Sequence, residues 1–457
     1  MNPIQPIIVV VPGFMLAIHV FSGLFSQTWM ARTSPAKPGH DAFPAVLGGS
    51  QARARESITI GPQPGISVPI VNRVADLQPD IQAWRRDIHQ HPELMYDVHR
   101  TAAFVADRLR EFGCDEVATG LGRTGVVGVI KGRKPAGKGD IKVIGLRADM
   151  DALPIEEETN LPYASKTPGK MHACGHDGHT AMLLGAARYL AETRNFAGDA
   201  VVIFQPAEEG GAGAAAMIKD GLMDRFAIDQ VYGMHNGPGI PLGSFAIRPG
   251  PIMASTDSID IRITGVGGHA ARPHKCIDSV LVGAQLITAL QSIVARSIDP
   301  LESAVISVCE FHAGHARNVI PQTAELKGTA RTLTAEVRVL IEKRIREVIA
   351  GVAQMTGARI DLDYVPGYPV TVNHATQTDV ATQVAREIVG DGNVHEMAPM
   401  MGAEDFAYML EARPGAFIFC GNGSSAGLHH PAYNFNDDAI VFGTSYWIKL
   451  VENTLAA

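Results

Sequence analysis

The stretch KMHACGHDGHTAML, residues 170–183, contains an unusual set of reactive side chains: His172, Cys174, His176, Asp177 and His179. Three interpretations are open from these residue types. They fit a metal site, a cysteine nucleophile with a neighbouring base, or a polar turn that leads into a helix. The choice depends on what the rest of the chain brings to the same place.

The elements around this stretch alternate between strand and helix. Amphipathic spacing predicts helices over VADLQPDIQAWRRDIHQHPE and HRTAAFVADRLREFG, and over residues 178–193 and 211–222. Short β-rich runs lie between helical stretches: KVIGLRAD, AVVIFQPAEE, QVYGMHN and GAFIFCGNG. Such alternation is typical of an α/β domain with a mostly parallel sheet.

Polar residues with metal-binding or acid–base capacity follow the predicted strands at their carboxyl ends. In chain order they are Asp149 and Asp151, Glu208 and Glu209, His235, and His429. In open α/β sheets, ligands bind at the carboxyl ends of the strands. We therefore expect these side chains to meet at one edge, where the run 172–179 would also begin a helix.

Each feature alone has an ordinary structural explanation. A lone histidine such as His235 is more often structural than a ligand, and the pair Glu208 and Glu209 alone would more often be a solvated or capping pair. Those explanations would have to place every metal-competent group at the same edge independently. Their joint occurrence therefore favours a functional site.

The role of Cys174 separates the remaining alternatives. As a nucleophile it would need a base within hydrogen-bond reach and an orienting third group, and the further histidines and glutamates would have no use. As a thiolate that bridges or caps a dinuclear metal centre, it uses them directly. One glutamate of the pair would then bind metal, while its neighbour takes a proton from the attacking water.

Residues 252–369 follow a different pattern. The runs DSIDIRITGVGG, SAVISVCEFHAG, AELKGTARTL and RIDLDYVPGY alternate with helices over about 278–297 and 334–356, in the order β-α-β-β-α-β. This is the order of a split βαβ, ferredoxin-like unit. We therefore expect a catalytic metal-binding α/β domain, residues 68–251 and 370–457, interrupted by a smaller α+β lid domain, residues 252–369.

Composition narrows the class of partner. The formal net charge is −8 without a block of basic residues, which argues against nucleic-acid binding. Five cysteines without framework spacing argue against a disulfide scaffold and suit a reducing compartment, so we expect a cytoplasmic protein.

The first 67 residues are excluded from this fold prediction. Residues 7–25 approach the length of a membrane span, but the segment lacks a basic start, and Pro12 and Gly13 interrupt it. It is an export signal, a membrane anchor, or upstream sequence that is not part of the working protein. A genuine signal would imply a periplasmic or membrane-anchored protein instead.

Taken in order, several motifs resemble those of the M20 metallopeptidases: LRADMDALP, MHACGHDGHTAMLLGAA, FQPAEEGGAGA, GMHN, GGHAARPH, NVIPQTAELKGTART, MGAEDFAYM and LHHPAYNFND. The likeness is to the amidohydrolase branch, which contains hippurate hydrolases, N-acyl-amino-acid amidohydrolases and plant auxin-conjugate hydrolases, and it covers about residues 74–455. By this resemblance Glu208 is the general base and Asp151 orients the site. The metal ligands that it implies are Cys174, His176, Glu209, His235 and His429.

The resemblance also implies roles for lid residues. His269, in GGHAARPH, would polarise the scissile carbonyl, and in relatives the equivalent histidine reaches across a dimer. Arg331, with Asn318, would bind the substrate carboxylate, which suits the planar guanidinium. The lid would then serve as the contact of a homodimer or homotetramer.

The implied activity is metal-dependent hydrolysis of the amide bond of an N-acyl amino acid, giving a carboxylic acid and a free amino acid. Two divalent ions per subunit are expected, Mn²⁺ or Zn²⁺, with Co²⁺ and Ni²⁺ as alternatives. The alternative substrates are N-acetyl-diaminopimelate and dipeptides. A non-catalytic metal scaffold is the remaining alternative, but such a scaffold would not need Glu208 beside Glu209.

The acyl group stays open at this point. Residues 251–255, Met400 and Met401 are small or flexible and fit an aromatic acyl group such as benzoyl. Methionine is equally often a core filler, so these residues do not decide the substrate.

Overall fold

The computed structural model describes residues 69–135 and 142–456. The predictions for residues 1–67 lie outside these ranges. The helices are α1 Pro69–Gln90, α2 His99–Glu111, α3 His176–Thr193, α4 Gly213–Lys219, α5 Leu222–Arg225, α6 Ser279–Ser297, α7 Ala335–Thr356, α8 Ala375–Val389, α9 Ala407–Ala412 and α10 Ala439–Thr454.

The strands supply two larger sheets and two short pairs. They are β1 Glu116–Leu121, β2 Gly125–Lys131, β3 Val143–Asp149, β4 Asp199–Gln205, β5 Gln230–Pro238, β6 Phe245–Ile247, β7 Gly250–Met253, β8 Asp257–Thr264, β9 Gly268–His269, β10 Ala304–Ala313, β11 Val319–Ile320, β12 Thr323–Thr332, β13 Arg359–Pro366, β14 Thr371–Asn373, β15 Val394–Glu396 and β16 Gly415–Gly423.

The larger sheet has eight strands in the order β1-β2-β4-β3-β5-β16-β6-β15. Its four central strands, β4, β3, β5 and β16, are parallel, whereas the outer contacts of β2 with β4 and of β16 with β6 are antiparallel. The predicted fold class, a mixed α/β fold with a mostly parallel central sheet, is confirmed.

The central strands are apolar on both faces because both faces are covered. Every residue of β3, VIGLRAD, is buried, as expected for a parallel strand with helices on both sides. Helices α1, α3 and α10 pack together, with Leu183 and Trp447 in the core on one face. A second core on the other face includes Met217 and Phe406, from α4 and the residue before α9.

The second sheet has four antiparallel strands in the order β10-β12-β8-β13. With α6 and α7 packed on it, this is the ferredoxin-like arrangement expected from the element order. Within the described residues, α6 is long and apolar enough to cross a membrane by composition. Its side chains Val282, Leu286 and Leu290 instead belong to the core beneath the sheet.

A short strand pair connects the two sheets. Strand β7 follows the strands of the larger sheet and pairs antiparallel with β14, which leads back to that sheet. The elements of the second sheet run from Asp257 to Pro366, inside the predicted range 252–369, and the predicted boundary after Pro251 falls within β7. The chain therefore leaves and re-enters the α/β domain at one place.

The predicted single helix over 211–222 is divided into α4 and α5. Gly221 between them has a φ of 90°, a left-handed conformation that glycine adopts without steric cost. The Asp220 side chain accepts a hydrogen bond from the Gly122 backbone N–H at 2.8 Å. The break therefore ties the end of α4 to the turn between β1 and β2.

Buried ion pairs hold α1 against the start of α3. Arg85 contacts Asp177 at 3.3 Å and Asp437 at 2.7 Å, and His89 contacts Asp177 through Nδ1 at 2.8 Å and Glu157 through Nε2 at 3.3 Å. Burial lowers the pKa of His89, but the neighbouring carboxylates outweigh it and raise that pKa to about 9. The imidazolium form therefore fixes the first turn of α3 in the folded protein.

This contact predicts a pH dependence of stability. The usual histidine pKa is about 6.5, so the raised value stabilises the fold fully below that pH. The contribution is lost as pH rises through about 9. We expect His89→Gln to reduce the fall in Tm between pH 6.5 and pH 9.5, measured by calorimetry on metal-free protein.

The matched control is His99→Gln, because the His99 side chain is 76% exposed. This variant should keep the wild-type pH dependence. A His89→Gln protein whose Tm falls as steeply as the wild type would contradict the predicted role of His89.

Candidate metal centre

Four segments bring metal-competent side chains to the carboxyl edge of the parallel strands. Cys174 and His176 lie at the start of α3, and Glu209 lies in the turn after β4. His235 lies near the end of β5, and His429 follows β16. The edge predicted from the sequence is therefore where the structure gathers these residues.

The ligand atoms fall into overlapping groups whose members all lie within 4.8 Å of one another. One group is Cys174, His176 and His235, and a second is Cys174, Glu209 and His429. In the first group, Cys174 Sγ lies 3.4 Å from His235 Nε2. Cys174 belongs to both groups, as a thiolate shared by two cations would.

Backbone carbonyls fix the orientation of two imidazoles. The Nδ1–H of His176 donates to the carbonyl of Asp151 at 2.8 Å, and that of His235 donates to the carbonyl of Asn236 at 2.7 Å. A carbonyl can only accept, so Nδ1 carries a proton in both rings, and Nε2 is the atom that each ring presents to the other ligands. Metal-binding histidines are typically held in this way.

Two buried atoms at this centre lack a hydrogen-bond partner among the described residues: His176 Nε2 and Glu209 Oε1. The Nε2 atom of His429 lies 3.3 Å from Glu209 Oε1, but the contact is not aligned as a hydrogen bond. Leaving buried polar atoms unpaired is costly. A cation between them would satisfy both, so the donor set fits a metal ion.

The electrostatics disfavour Cys174 as a nucleophile. Burial raises the pKa of its thiol well above the usual value, against the effect of His176. A nucleophilic cysteine requires the opposite shift. Burial, with His179, lowers the pKa of His235 well below its usual value, so this ring is neutral, as a metal ligand must be.

Glu208 lies on the same turn as Glu209 but is more deeply buried, with 7% of its surface exposed. Burial and the charges of Glu404 and Glu209 raise the pKa of Glu208 well above its usual value. The turn is held by Asp151, whose carboxylate accepts the backbone N–H groups of Glu208 and Glu209 at 3.0 and 3.1 Å. Asp151 therefore orients both the turn and His176.

The remaining residues of the run 172–179 have other contacts. His179 is engaged at both ring nitrogens, by Asp149 at 2.6 Å and by Asn236 at 2.6 Å, so it supports the site rather than binding metal. Asp177 contacts α1 instead of the centre. His172 is buried without hydrogen bonds to the described residues.

Sequence reasoning gave no role to three residues at this centre: Arg147, Glu404 and Asp405. Glu208, Glu404 and Asp405 form a further group of close, buried carboxylates, and Arg147 contacts the last two. The motif MGAEDFAYM contained the acidic pair, which was the available signal. Sequence spacing gave no indication that Arg147 on β3 contacts this acidic pair.

The predicted lid residues lie apart from the metal-competent groups found among the described residues. His269 and Asn318 are exposed on the small β9–β11 arm, where Ala270 donates to the carbonyl of Asn318 at 3.0 Å. Arg331 is half-buried, with Nη1 3.5 Å from the carbonyl of Met401. Their substrate roles stay predictions.

The geometry predicts which cysteine controls metal content. Cys174→Ala removes a ligand shared by two groups, so we expect more than about 100-fold weaker metal binding, above the usual loss for an outer-shell change. The measurements are metal stoichiometry after dialysis and calorimetric titration. Cys420→Ala is the matched control, because Cys420 is also buried but lies outside these groups. Equal metal binding by the two variants would refute the assignment of Cys174.

Comparison with known proteins identifies the family. The chain is 46% identical to a hippurate hydrolase of Campylobacter jejuni, over 83% of this chain and 98% of that protein. It is 40% identical to an N-acetylcysteine deacetylase of Bacillus subtilis, over 80% and 94%. A solved structure, the YXEP protein of Bacillus subtilis, described as a dinuclear metal-binding peptidase of the M20 family, superposes with a TM-score of 0.72 at 35% identity, covering 83% of this chain and 99% of that one. The model of peptidase family M20/M25/M40 matches residues 145–453, and the chain belongs to that family.

Proposed function

We propose that this protein hydrolyses the amide bond of N-acyl amino acids, releasing a carboxylic acid and a free amino acid. The observation that carries the proposal is the pair Glu208 and Glu209. Glu209 presents an unpaired oxygen to the histidine and cysteine ligands. Its buried neighbour Glu208 is available for proton transfer.

The relatives support this substrate class. One is named a hippurate hydrolase and another an N-acetylcysteine deacetylase. Both names describe an acyl group joined to an amino acid through nitrogen. The chain covers nearly the whole length of each, so the likeness extends over the metal-binding residues and the lid.

The protein uses divalent metal ions. We propose two ions per subunit, held by Cys174, His176, Glu209, His235 and His429. Manganese and zinc fit this mixture of thiolate, imidazole and carboxylate, and cobalt and nickel are alternatives. When bound, such ions polarise a carbonyl and lower the pKa of the attacking water.

Glu208 is the residue that moves the proton. It accepts a proton from the attacking water as the oxygen bonds to the amide carbon. It then gives that proton to the nitrogen as the carbon–nitrogen bond breaks. Burial suits this cycle, because a carboxylate with a raised pKa holds the transferred proton between the two steps.

Lid residues complete the proposed site. We assign Arg331 and Asn318 to the substrate carboxylate and His269 to the scissile carbonyl, with the protein acting as a homodimer. His269 lies on an exposed arm, a position from which it would serve the active site of a partner subunit. The free cysteines suit a reducing compartment, so we place the enzyme in the cytoplasm.

The proposed function is tested by release of free amine from a substrate panel. The panel contains benzoyl-glycine, acetyl and indole-acetyl amino acids, acetyl-diaminopimelate and dipeptides, offered to metal-stripped protein with manganese or zinc restored. We expect metal-dependent cleavage of the N-acyl amino acids. Cleavage of acetyl-diaminopimelate or of dipeptides alone would move the assignment to those substrates.

Glu208→Gln tests the mechanism within the same assay. We expect it to bind the metals but to lose about 100- to 10,000-fold in kcat, the usual contribution of a general base. Glu396→Gln, at an exposed position on β15, is the control and should match the wild type. A Glu208→Gln enzyme with near wild-type turnover would end the assignment of Glu208.

Subunit mixing tests whether His269 serves the partner's site. Glu208→Gln and His269→Ala should each be nearly inactive alone. In a mixed dimer, the site with an intact Glu208 receives His269 from the other subunit, so a statistical mixture should recover about a quarter of wild-type activity. If His269 acted within its own subunit, mixing would recover none.

A further inference from the structure

Arg147 is a fully buried arginine whose guanidinium is surrounded by acceptors. Its Nη1 lies 2.8 Å from Asp149 Oδ2, and its Nη2 lies 2.9 Å from both Glu404 Oε1 and Asp405 Oδ1. Its Nε donates to Gln205 Oε1 at 2.9 Å. One cation on β3 therefore binds the end of its own strand, the end of β4 and the segment 404–405.

The segment 404–405 reaches the general base directly. The backbone N–H of Asp405 donates to Glu208 Oε1 at 3.3 Å. The carboxylate of the same residue accepts from Gln205 Nε2 at 2.8 Å and from the Ala214 backbone N–H at 2.9 Å. Arg147 thus anchors the residue whose backbone contacts the Glu208 carboxylate.

Charge explains why this anchor is needed. Glu208, Glu404 and Asp405 have carboxylate oxygens within 4.8 Å of one another, and all three are buried. Like charges at this distance in a low dielectric repel strongly unless a cation lies among them. The guanidinium of Arg147 is that cation, so this acidic group is closed by the protein itself and is not a third metal site.

We propose that Arg147 is a positioning residue for Glu208: it holds the segment 404–405 so that the Asp405 N–H fixes the carboxylate of the general base. The proposal rests on the role of Glu208 in the proposed function. Without Arg147, the carboxylates of Glu404 and Asp405 lose their counter-charge and move apart, and the N–H moves with them. The Glu208 side chain is still present, but its carboxylate is no longer held in position for proton transfer.

The experiment compares Arg147→Met and Arg147→Lys with wild type. Metal stoichiometry, kcat and KM are measured on the N-acyl amino acid that the wild type cleaves best. Arg147→Met should lose on the order of 100-fold in kcat, the cost of misplacing a reacting group by about 1 Å. KM and metal content should stay within about twofold, and Arg147→Lys should recover at least about tenfold of the lost kcat because it restores the charge.

The control is Arg194→Lys. Arg194 pairs with Asp115 at 2.6 Å, and its side chain is 11% exposed. It caps the C-terminal end of α3, the end opposite to His176. This control should leave kcat unchanged. It measures the general effect of replacing a well-ordered arginine.

Two results would overturn the proposal. The first is wild-type kcat in metal-loaded Arg147→Met. The second is a loss of kcat explained wholly by a matching loss of metal. If Arg147→Met does not fold, Asp405→Asn decides, because it keeps the backbone N–H and weakens only its anchor. It should lose at least about threefold in kcat at unchanged KM, and an unchanged kcat would overturn the proposal.

Failure of the proposed function gives a different result. In that case wild type would cleave no member of the panel, and crystal structures of metal-loaded wild type and Arg147→Lys and Arg147→Met would decide the positioning role alone. Loss of the contact between Asp405 N and Glu208 Oε1 in Arg147→Met, with its retention in Arg147→Lys, supports the role. Retention in both variants overturns it.

Discussion

Carboxyl groups are concentrated at the carboxyl edge of the central sheet. Asp149, Glu208, Glu404 and Asp405 are buried there, with Glu209 beside them. Burying one carboxylate costs several kcal/mol without compensation. In the catalytic domain the buried guanidinium of Arg147 offsets this cost for Asp149, Glu404 and Asp405. The cysteine and histidine ligands beside Glu209 are arranged to bind divalent cations, which would supply further positive charge. The strand ends and turns at this edge position both sets of groups.

Unusual backbone conformations help to orient the metal ligands. Gly175, between Cys174 and His176, has a φ of 93°, and a Cβ there would lie 2.2 Å from Asn236 Oδ1. Ala207, before Glu208, and His429 have φ values of 54° and 62°, which cost non-glycine residues free energy. Two ligand-bearing turns therefore hold strained backbone and a third requires glycine, so the fold sets the orientation of the ligands at the expense of local backbone preference.

The sequence predicted the location of the site better than its internal organisation. Parallel strands bring their carboxyl ends together, so residues after β3, β4, β5 and β16 had to meet, and the alternation of elements was enough to show it. Spacing alone did not separate His176 from His179, since they lie three residues apart on one helix turn, and only the family resemblance selected His176 as a ligand. Their hydrogen bonds give the physical reason: His176 Nε2 has no partner among the described residues, whereas both ring nitrogens of His179 are hydrogen-bonded.

Other features depended on pairs distant in sequence. Arg147 meets Asp405 across 258 positions, and spacing gives no indication of such a partner. The division of α4 from α5 depended on the conformation of a single glycine. The roles proposed for His269, Asn318 and Arg331 would require these residues to meet a substrate, and residue types alone do not define such a contact.

The pairing of β7 with β14 has a consequence for how this chain is assembled. The ends of the lid insertion are hydrogen-bonded neighbours, so to the catalytic domain the whole lid is equivalent to a hairpin loop. Loop-closure entropy rises only slowly with length and is smallest when the ends are already adjacent. The inserted domain could therefore be exchanged or lost while the strands of the metal-binding domain keep their connectivity.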